Sequence, residues 1–277
     1  MPRTPELFAW PALQRLLDAR QVDKLVRVPY FDGVLTDEPE ALIGSFSREP
    51  LVHDPIRGRI RGVAAFKAYF AQMHDWLDEH DVAVEDISPV GLGHNGFSEV
   101  VVHFDGRAGR VALPFAIVTA RASDGGIDEV RIYPGTLPLT GRRAVRPPLP
   151  QPDPELGEPD VAAEYGRALA AADADAVMAT FDHDAYVRDA TGTKQPGDDG
   201  LRRHSGDLPA SGGIVQTDCA IGCEEKAFAL EYNVVRWGGA ELPPQAGMAV
   251  LAHGSSGGLA AVRLHHDLQP PATAARH

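Results

Sequence analysis

The sequence is poor in cysteine, in long apolar runs and in positive charge. Cys219 and Cys223 are the only two cysteines among 277 residues, and a chain of this length does not depend on a disulfide even if two adjacent strands brought them together. No apolar run approaches the ~20 residues of a membrane span. Lys and Arg total 26 against 39 Asp and Glu, a net charge of −13 that disfavours a nucleic acid partner. We expect a cytoplasmic globular protein with free thiols, no membrane contact and no nucleic acid partner.

Motifs for cofactor and metal chemistry are also missing. The sequence contains no Gly-rich phosphate loop after a strand, no Gly-x-Ser-x-Gly elbow and no dinucleotide fingerprint. Neither the histidines nor the two cysteines have the spacing of a metal site. We therefore predict that the protein uses no nucleotide cofactor and no metal.

An internal repeat organises the sequence. Residues 40–54 match residues 175–189 without a gap, at an offset of 135 that aligns Phe46 with Phe181 and Asp54 with Asp189. Downstream, the Gly125-Gly126 turn followed by Arg131 matches Gly257-Gly258 followed by Arg263. Two matches in the same order indicate duplication of one unit.

Hydrophobic periodicity assigns helices to the start of each half and strands to its end. This order indicates an α+β fold with antiparallel strands. In the second half, glycines and prolines around residues 196–209 predict that the third helix is reduced. The predicted helices are 11–27, 37–46, 63–77, 160–172 and 174–181, and the predicted strands are 82–92, 97–104, 111–121, 127–133, 213–222, 226–237, 246–253 and 259–267.

A proline-rich segment separates the two halves. Six prolines between residues 146 and 159 exclude a helix or a central strand and favour a stiff, extended linker. We predict a first domain at 1–147 with an extra N-terminal helix, a linker at 148–159, and a second domain at 160–277.

The segment from Tyr165 to Asp189 resembles the ketosteroid isomerases, and the whole pattern resembles the SnoaL-like, nuclear-transport-factor-two-like superfamily. The resemblance implies two tandem cone-shaped α+β barrels, each a strongly curved antiparallel sheet wrapped around helices. It also implies a catalytic Asp and an oxyanion-hole Tyr, which Asp189 and Tyr165 match at a separation of 24 residues. Tyr30 and Asp54 have the same separation. The second acid of that family falls near Ile117 and Ala249, both apolar here.

Each candidate residue has two interpretations. Asp54 and Asp189 are either bases facing an apolar interior or turn carboxylates that cap backbone amides. Tyr165 and Tyr30 are either hydrogen-bond donors in a pocket or packing residues. The candidates for substrate binding are His53, His74, His103, His265 and Asp267. The histidines lie on or near the predicted strands and helices, and Asp267 is an acid on the last strand. The alternative interpretation places these side chains at the protein surface.

These residues predict a cofactor-independent acid/base enzyme of the isomerase, cyclase or epoxide-opening type. Its substrate would be a hydrophobic, carbonyl- or epoxide-bearing small molecule, such as a polyketide-like metabolite. The alternative is a non-catalytic small-molecule-binding or scaffold protein. In either case the resemblance implies an intramolecular pseudo-dimer of the two halves, with further homodimerisation open.

Overall fold

The computed structural model describes residues 39–80, 83–88, 95–106, 109–147, 149, 160–171, 173–210, 213–223, 227–237 and 245–269. The predicted helix 11–27, Tyr30 and nearly all of the predicted linker 148–159 lie outside these residues. The chain divides into two compact units, Met1–Ile132 (unit 1) and Tyr133–His277 (unit 2).

The described residues of unit 1 form two helices and a six-stranded sheet. The strand order is β2-β1-β6-β5-β4-β3. β1 pairs with β6 in parallel, whereas its pairing with β2 is antiparallel. The elements are α1 (Pro39–Gly44), β1 (Leu51–Asp54), β2 (Gly58–Arg61), α2 (Val63–Glu79), β3 (Ala83–Ser88), β4 (Asn95–Gly106), β5 (Gly109–Arg121) and β6 (Ile127–Pro134), the last of which crosses the unit boundary.

Unit 2 repeats this plan. Its strand order is β8-β7-β12-β11-β10-β9, and β7 pairs with β12 in parallel. The predicted α+β class is confirmed, but the expectation of purely antiparallel sheets is wrong, because a short strand in each unit joins the last strand in parallel. The elements are α3 (Leu137–Thr140), α4 (Asp160–Ala170), α5 (Ala174–Ala179), β7 (Phe181–Arg188), β8 (Lys194–Pro196), α6 (Gly197–Ala210), β9 (Gly213–Cys223), β10 (Ala227–Trp237), β11 (Gln245–His253) and β12 (Leu259–His266).

Helix α6 occupies the place of the third helix in the second half, where α2 of unit 1 has 17 residues. It spans Gly197–Ala210, 14 residues. Asp198 and Asp199 lie in its first turn, where carboxylates favour the positive end of the helix dipole. Leu201, 2% exposed, anchors the helix in the core of unit 2. Glycine and proline near the ends of this segment therefore do not prevent the helix.

Cys219 and Cys223 both lie on β9. Four residues along one strand place them about 13 Å apart, which exceeds the reach of a disulfide. The interpretation that adjacent strands bring them together is wrong.

Each unit has its own apolar core on one face of its sheet. In unit 1, α2 presents Phe66, Tyr69, Phe70 and Met73 at the i, i+3, i+4, i+7 spacing of a helical stripe. Phe66 meets Phe46 edge-to-face at 5.8 Å between ring centroids. Val63, which the sequence pattern placed on this stripe, is 44% exposed at the start of the helix.

Equivalent contacts recur in the two units at the sequence offset of 135. Lys67 on α2 pairs with Glu40 on α1 at 2.7 Å, and Arg202 on α6 pairs with Asp175 on α5 at 2.8 Å. Asp175 lies 135 residues after Glu40, and Arg202 lies 135 residues after Lys67. The offset detected around Asp54 therefore extends from residue 40 through residue 67.

In both units, a Ser–Asp hydrogen bond connects the hairpin before the last strand to the start of the sheet. The positions of the donor and the acceptor are exchanged between the two units. In unit 1 the Ser47 hydroxyl donates to the Asp124 carboxylate. In unit 2 the Ser256 hydroxyl donates to the Asp182 carboxylate. Ser47 matches Asp182 at the offset of 135, and Asp124 matches Ser256 at an offset of 132. The donor and the acceptor have thus changed places between the copies.

The Gly-Gly turn has the same geometric requirement in each unit. Gly125 and Gly257 have φ values of +85° and +92°, which favour glycine. The second glycine lies against the Ser–Asp hydrogen bond of its unit. A Cβ on Gly126 would lie 2.3 Å from Ser47 Oγ, and one on Gly258 would lie 2.5 Å from Asp182 Oδ1.

Candidate functional site

Asp54 ends β1 with its side chain on the core face of the unit 1 sheet. Side chains alternate along a strand, so Asp54 shares a face with Val52, a core residue with no exposed surface. Asp54 itself is 8% exposed. The sheet therefore carries a buried carboxylate at the edge of an aromatic core.

Three donors hold the Asp54 carboxylate. The backbone amides of Ile56 and Arg57 donate to Oδ1 at 2.8 and 2.7 Å. The hydroxyl of Tyr69 donates to Oδ2 at 3.3 Å. Oδ1 thus closes the turn after β1, as one interpretation of the sequence expected. Oδ2 has a single, long hydrogen bond, so it keeps a lone pair that can accept a proton from a bound molecule.

Tyr69 is a site residue that the sequence analysis missed. It is 5% exposed and lies on the apolar stripe of α2, with the Arg57 guanidinium 5.6 Å from the centre of its ring. Its spacing from Phe66 and Phe70 was the available signal, because a phenol on a core-facing stripe needs a buried hydrogen-bond partner. The nearest buried acid along the chain is Asp54.

The rest of this face is apolar. Phe66 lies beside Tyr69, with ring centroids 6.3 Å apart, and Phe70 continues the aromatic row. Across the sheet, Ile117 is a core residue and Phe115 packs against the core. The position where the resemblance places a second acid thus carries an aliphatic side chain. The polar exceptions on this face, among the described residues, are Ser98, which pairs with Ile117, and Thr119, two residues after Ile117.

Asp189 follows β7, and its carboxylate accepts four hydrogen bonds from residues that follow it in the chain. Oδ1 accepts from the amides of Thr191 and Thr193, at 2.9 and 3.1 Å, and from the Thr191 hydroxyl at 2.6 Å. Oδ2 accepts from the Gln195 amide at 3.1 Å. Tyr165 is not among these donors. Within the described residues of unit 2, the predicted Asp189–Tyr165 pair is not formed.

Tyr165 is a core residue of unit 2. It is 4% exposed and meets Phe181 edge-to-face at 5.9 Å, and burial raises the pKa of its phenol well above the ordinary value. This position suits the packing interpretation. Tyr30 and the side chain of His74 lie outside the described residues, so their assignments remain predictions.

His53 and His103 lie on the face of the unit 1 sheet opposite Asp54, which corrects the expectation that they share its interior. His53 alternates with Val52 and Asp54, and its Nε2 lies 3.3 Å from Glu129 Oε2 on β6. On β4, Val100 pairs with Phe115 of the core side. His103, three positions further, therefore faces the other way.

His53, Glu129 and Arg131 form a polar cluster on that outer face. The Glu129 carboxylate also accepts from the Arg131 guanidinium, and Arg131 is 3% exposed. Burial by itself would raise the pKa of Glu129. The hydrogen bond with His53 and the charge of Arg131 outweigh it, so the pKa of Glu129 lies below its usual value.

His265 and Asp267 also lie on the outer face of their sheet. They alternate with Val262 and Leu264, which contact the unit 2 core. Asp267 is 6% exposed, so the expectation of a strand end emerging into solvent is wrong. Its carboxylate accepts from the amide of Thr136 at 2.8 Å and from the amide of Ala144 at 3.0 Å. Asp267 thus anchors the segment that precedes the predicted linker, and this use leaves it unsuited to substrate.

Neither a metal-binding cluster nor a membrane-spanning helix occurs among the described residues. No group of three or more His, Cys, Asp or Glu in the described part of the chain is placed to hold a metal ion. No described helix is long and apolar enough to cross a membrane.

Comparison with known proteins gives structural similarity alone. No protein-family model and no curated protein matches the chain. A protein with a ketosteroid-isomerase-like fold from Catenulispora acidiphila, solved with trimethylamine, is 16% identical, with a TM-score of 0.35, over 41% of this chain and 90% of its own. An NTF-2-like protein from Burkholderia xenovorans is 18% identical, with a TM-score of 0.32, over 42% of this chain and 89% of its own.

A third similar structure is the epoxide hydrolase/cyclase-like enzyme SalBIII of pyran ring formation in the polyether salinomycin. It is 16% identical, with a TM-score of 0.30, over 45% of this chain and 92% of its own. Identities this low transfer neither a substrate nor a residue role.

Proposed function

We propose that the chain is a cofactor-independent acid/base enzyme acting on a hydrophobic, carbonyl- or epoxide-bearing small molecule such as a polyketide-like metabolite. The observation that carries the proposal is the Asp54 carboxylate, which is 8% exposed on the aromatic core face. Among the described residues, its Oδ2 is bonded to Tyr69 alone. A buried carboxylate with an open lone pair beside apolar walls suits proton abstraction from an apolar substrate.

In this proposal Asp54 is the general base. Its Oδ2 takes a proton from the carbon next to a carbonyl, and the C–H electron pair moves onto the carbonyl oxygen as an enolate. The neutral acid then returns the proton at another carbon, so no external reagent is consumed. For an epoxide, the same oxygen takes the proton of the attacking hydroxyl while the new C–O bond forms and the C–O bond of the ring breaks. The neutral acid then gives that proton to the alkoxide oxygen released from the ring. Tyr69 is the positioning residue that orients Oδ2.

The test exchanges one carboxylate in each unit for its amide. We expect Asp54→Asn to lower turnover of a panel of polyketide-like ketones and epoxides by about 10²–10⁴-fold, the usual contribution of a general base. The amide oxygen can still accept the amides of Ile56 and Arg57, so the turn is kept. Asp189→Asn, at the equivalent position, is the matched control and should leave turnover unchanged.

Two outcomes would contradict the proposal. One is an Asp54→Asn variant that is folded and retains wild-type turnover. The other is an equal loss in both variants, which would indicate a structural effect of the repeat position. Tyr69→Phe should change turnover less than Asp54→Asn, by about tenfold, because it removes a single hydrogen bond.

We also propose that the two units are tandem copies of a SnoaL-like domain, with repeats at 1–147 and 160–277 joined by the linker 148–159. The common strand order, the paired ion pairs and the exchanged Ser–Asp ties support it.

The second candidate function is a non-catalytic binding or scaffold protein built as an intramolecular pseudo-dimer. Unbroken burial along two central strands favours it. Every residue from Gln245 to Leu251 on β11 is buried, and on β5 both Ala116 and Ile117 are buried although they face opposite sides. Strands buried on both faces indicate sheets covered on both sides. In this case ligands would bind without turnover, and Asp54→Asn would change affinity alone.

A further inference from the structure

Three cationic side chains stand in one row across unit 2, on the outer face of the sheet. Arg188 on β7 is in register with Lys194 on β8 and with Arg263 on β12. Residues in register share a face, and Val187 beside Arg188 belongs to the core, so all three point away from it. We call Lys194, Arg188 and Arg263 the cation row.

The exposure of the side chains falls along the cation row from Lys194 to Arg263. Lys194 is exposed, Arg188 is half-buried, and Arg263 is 3% exposed. The Nε of Arg188 is buried and has no hydrogen-bond partner in the described part of the chain. Neither Arg188 nor Lys194 forms an ion pair with any residue that the structure describes; Lys194 lies 4.0 Å from the centre of the Tyr186 ring.

Unit 1 shows how the same row is neutralised. Its equivalent members are Arg59, His53 and Arg131, in register across β2, β1 and β6. There the Glu129 carboxylate lies between two of them, in contact with both His53 and Arg131. Glu129 is two residues before Arg131 on the same face of β6.

The residue of unit 2 that corresponds to Glu129 is Ala261. It stands two residues before Arg263, is in register with Tyr186, and carries no charge. Unit 2 has therefore replaced His53 by Arg188 and removed the carboxylate at the same time. Both changes make the row more positive, in a chain whose net charge is −13. Arg188 and Lys194 are in register and have no ion-pair partner among the described residues, so their charges repel each other.

We propose that unit 2 holds an anion site at the cation row, which takes a small carboxylate ligand where unit 1 has its own Glu129 carboxylate. The guanidinium of Arg188 binds the carboxylate through paired N–H donors, and Arg263 and Lys194 supply further positive charge. The Tyr186 ring, in register with Ala261, gives the ligand an apolar flank. An aromatic or aliphatic monocarboxylate fits this combination. The site is independent of the reaction proposed for Asp54.

Calorimetric titration of the full chain with benzoate tests the proposal. We expect one benzoate per chain and no heat with benzamide, its neutral analogue. Arg188→Gln should weaken benzoate binding about tenfold or more, as expected for loss of a charged hydrogen-bond pair. Arg59→Gln is the matched control: it removes one positive charge from the row of unit 1, where Glu129 is in place, and should leave the affinity unchanged.

A second variant returns the carboxylate to unit 2. Ala261→Glu should abolish benzoate binding, because its side chain takes the place of the ligand. If this variant fails to fold, the comparison of Arg188→Gln with Arg59→Gln decides alone. The proposal is overturned if wild type does not bind benzoate, if both arginine variants lose affinity equally, or if folded Ala261→Glu binds as wild type does. Tighter binding of inorganic phosphate than of benzoate would overturn the assignment to a carboxylate.

Discussion

Asp54 and Asp189 occupy the same place in their repeats, yet different donors hold their carboxylates. Asp189 receives four hydrogen bonds from three residues of the following loop. Asp54 receives two from its loop and one from Tyr69, a residue of the core. The difference comes from α2, whose stripe brings a phenol to the carboxylate. At the scale of one residue, the neighbouring side chains decide which donors hold each of two equivalent carboxylates.

Glu129 gives a pH-dependent prediction at this scale. Its pKa is lowered in the folded state, so its contribution to stability is complete above the ordinary value of 4.5 and is lost as pH falls through the folded-state pKa. Glu129→Gln should lower the free energy of unfolding by about 1–3 kcal/mol near neutral pH, because two charged hydrogen bonds are lost.

Urea unfolding of wild type and Glu129→Gln, followed from about pH 5.5 to about pH 3, measures the effect. The difference between them should shrink as the solution becomes more acidic. Glu164→Gln, a change at an exposed glutamate of α4, serves as the control. A difference that stays constant with pH, or grows as pH falls, would contradict the ion-pair role.

The sequence contained enough information for part of the candidate site. Asp54 was found because a repeat marked it, and its core-facing direction follows from alternation with Val52. The same alternation excludes His53 from that site, but only once Val52 is known to face the helices. Tyr69 needed the register of α2 against β1, a tertiary relation that no local pattern carries. Position along the chain was thus predictable, and the face of the sheet was not.

At the scale of elements, most strands and helices follow from periodicity, and the exceptions have local causes. The predicted helix 63–77 and the observed α2 differ by two residues at one end. Strands β2 and β8, of four and three residues, are too short to show a period. The parallel pairing of β1 with β6 joins segments about 75 residues apart, so their register lies beyond local sequence signals.

The segment after β6 gives a prediction about how elements meet. Gly135 lies so close to the loop after β7 that a Cβ there would stand 2.0 Å from the backbone oxygen of Ala190. Gly135→Ala should destabilise the protein by about 1–3 kcal/mol, since backbone must move to admit the methyl group. This cost would show that the segment between β6 and the linker is packed as part of unit 2.

Gly166→Ala is the matched substitution with the opposite expectation. Gly166 lies inside α4 and a Cβ there would meet nothing within 4 Å. Alanine should stabilise the helix by about 0.5–1 kcal/mol, because glycine is the more costly residue in a helix interior. Denaturant titration compares both variants with wild type. Equal effects of the two changes would show that the close approach at Gly135 does not govern stability.

At the scale of the whole molecule, the two units keep their architecture and vary their chemistry. The ion pair between the helix before and the helix after the first two strands is Glu40–Lys67 in unit 1 and Asp175–Arg202 in unit 2. Charge and place are retained while both side chains differ. The outer face diverges further, since Glu129 corresponds to Ala261. Contacts within the units are thus preserved as pairs, whereas the outer-face residue at the position of Glu129 changes singly.

The exchanged Ser–Asp ties allow this principle to be tested directly. Ser47→Asp alone places two carboxylates, at positions 47 and 124, in contact and should lower the midpoint of thermal unfolding. Asp124→Ser alone removes the acceptor that holds both the Ser47 hydroxyl and the Gly126 amide, and should also lower it.

The double variant Ser47→Asp/Asp124→Ser gives unit 1 the arrangement of unit 2, where the Asp182 carboxylate accepts from Ser256 and from the Gly258 amide at 3.1 Å. It should recover most of the loss, which appears as a favourable coupling in the double-mutant cycle. Additive losses would mean that the two hairpins are not interchangeable. Recovery would mean that the two units share the Ser–Asp hydrogen bond itself and not the identity of either residue. A donor and an acceptor would then serve equally well from either strand.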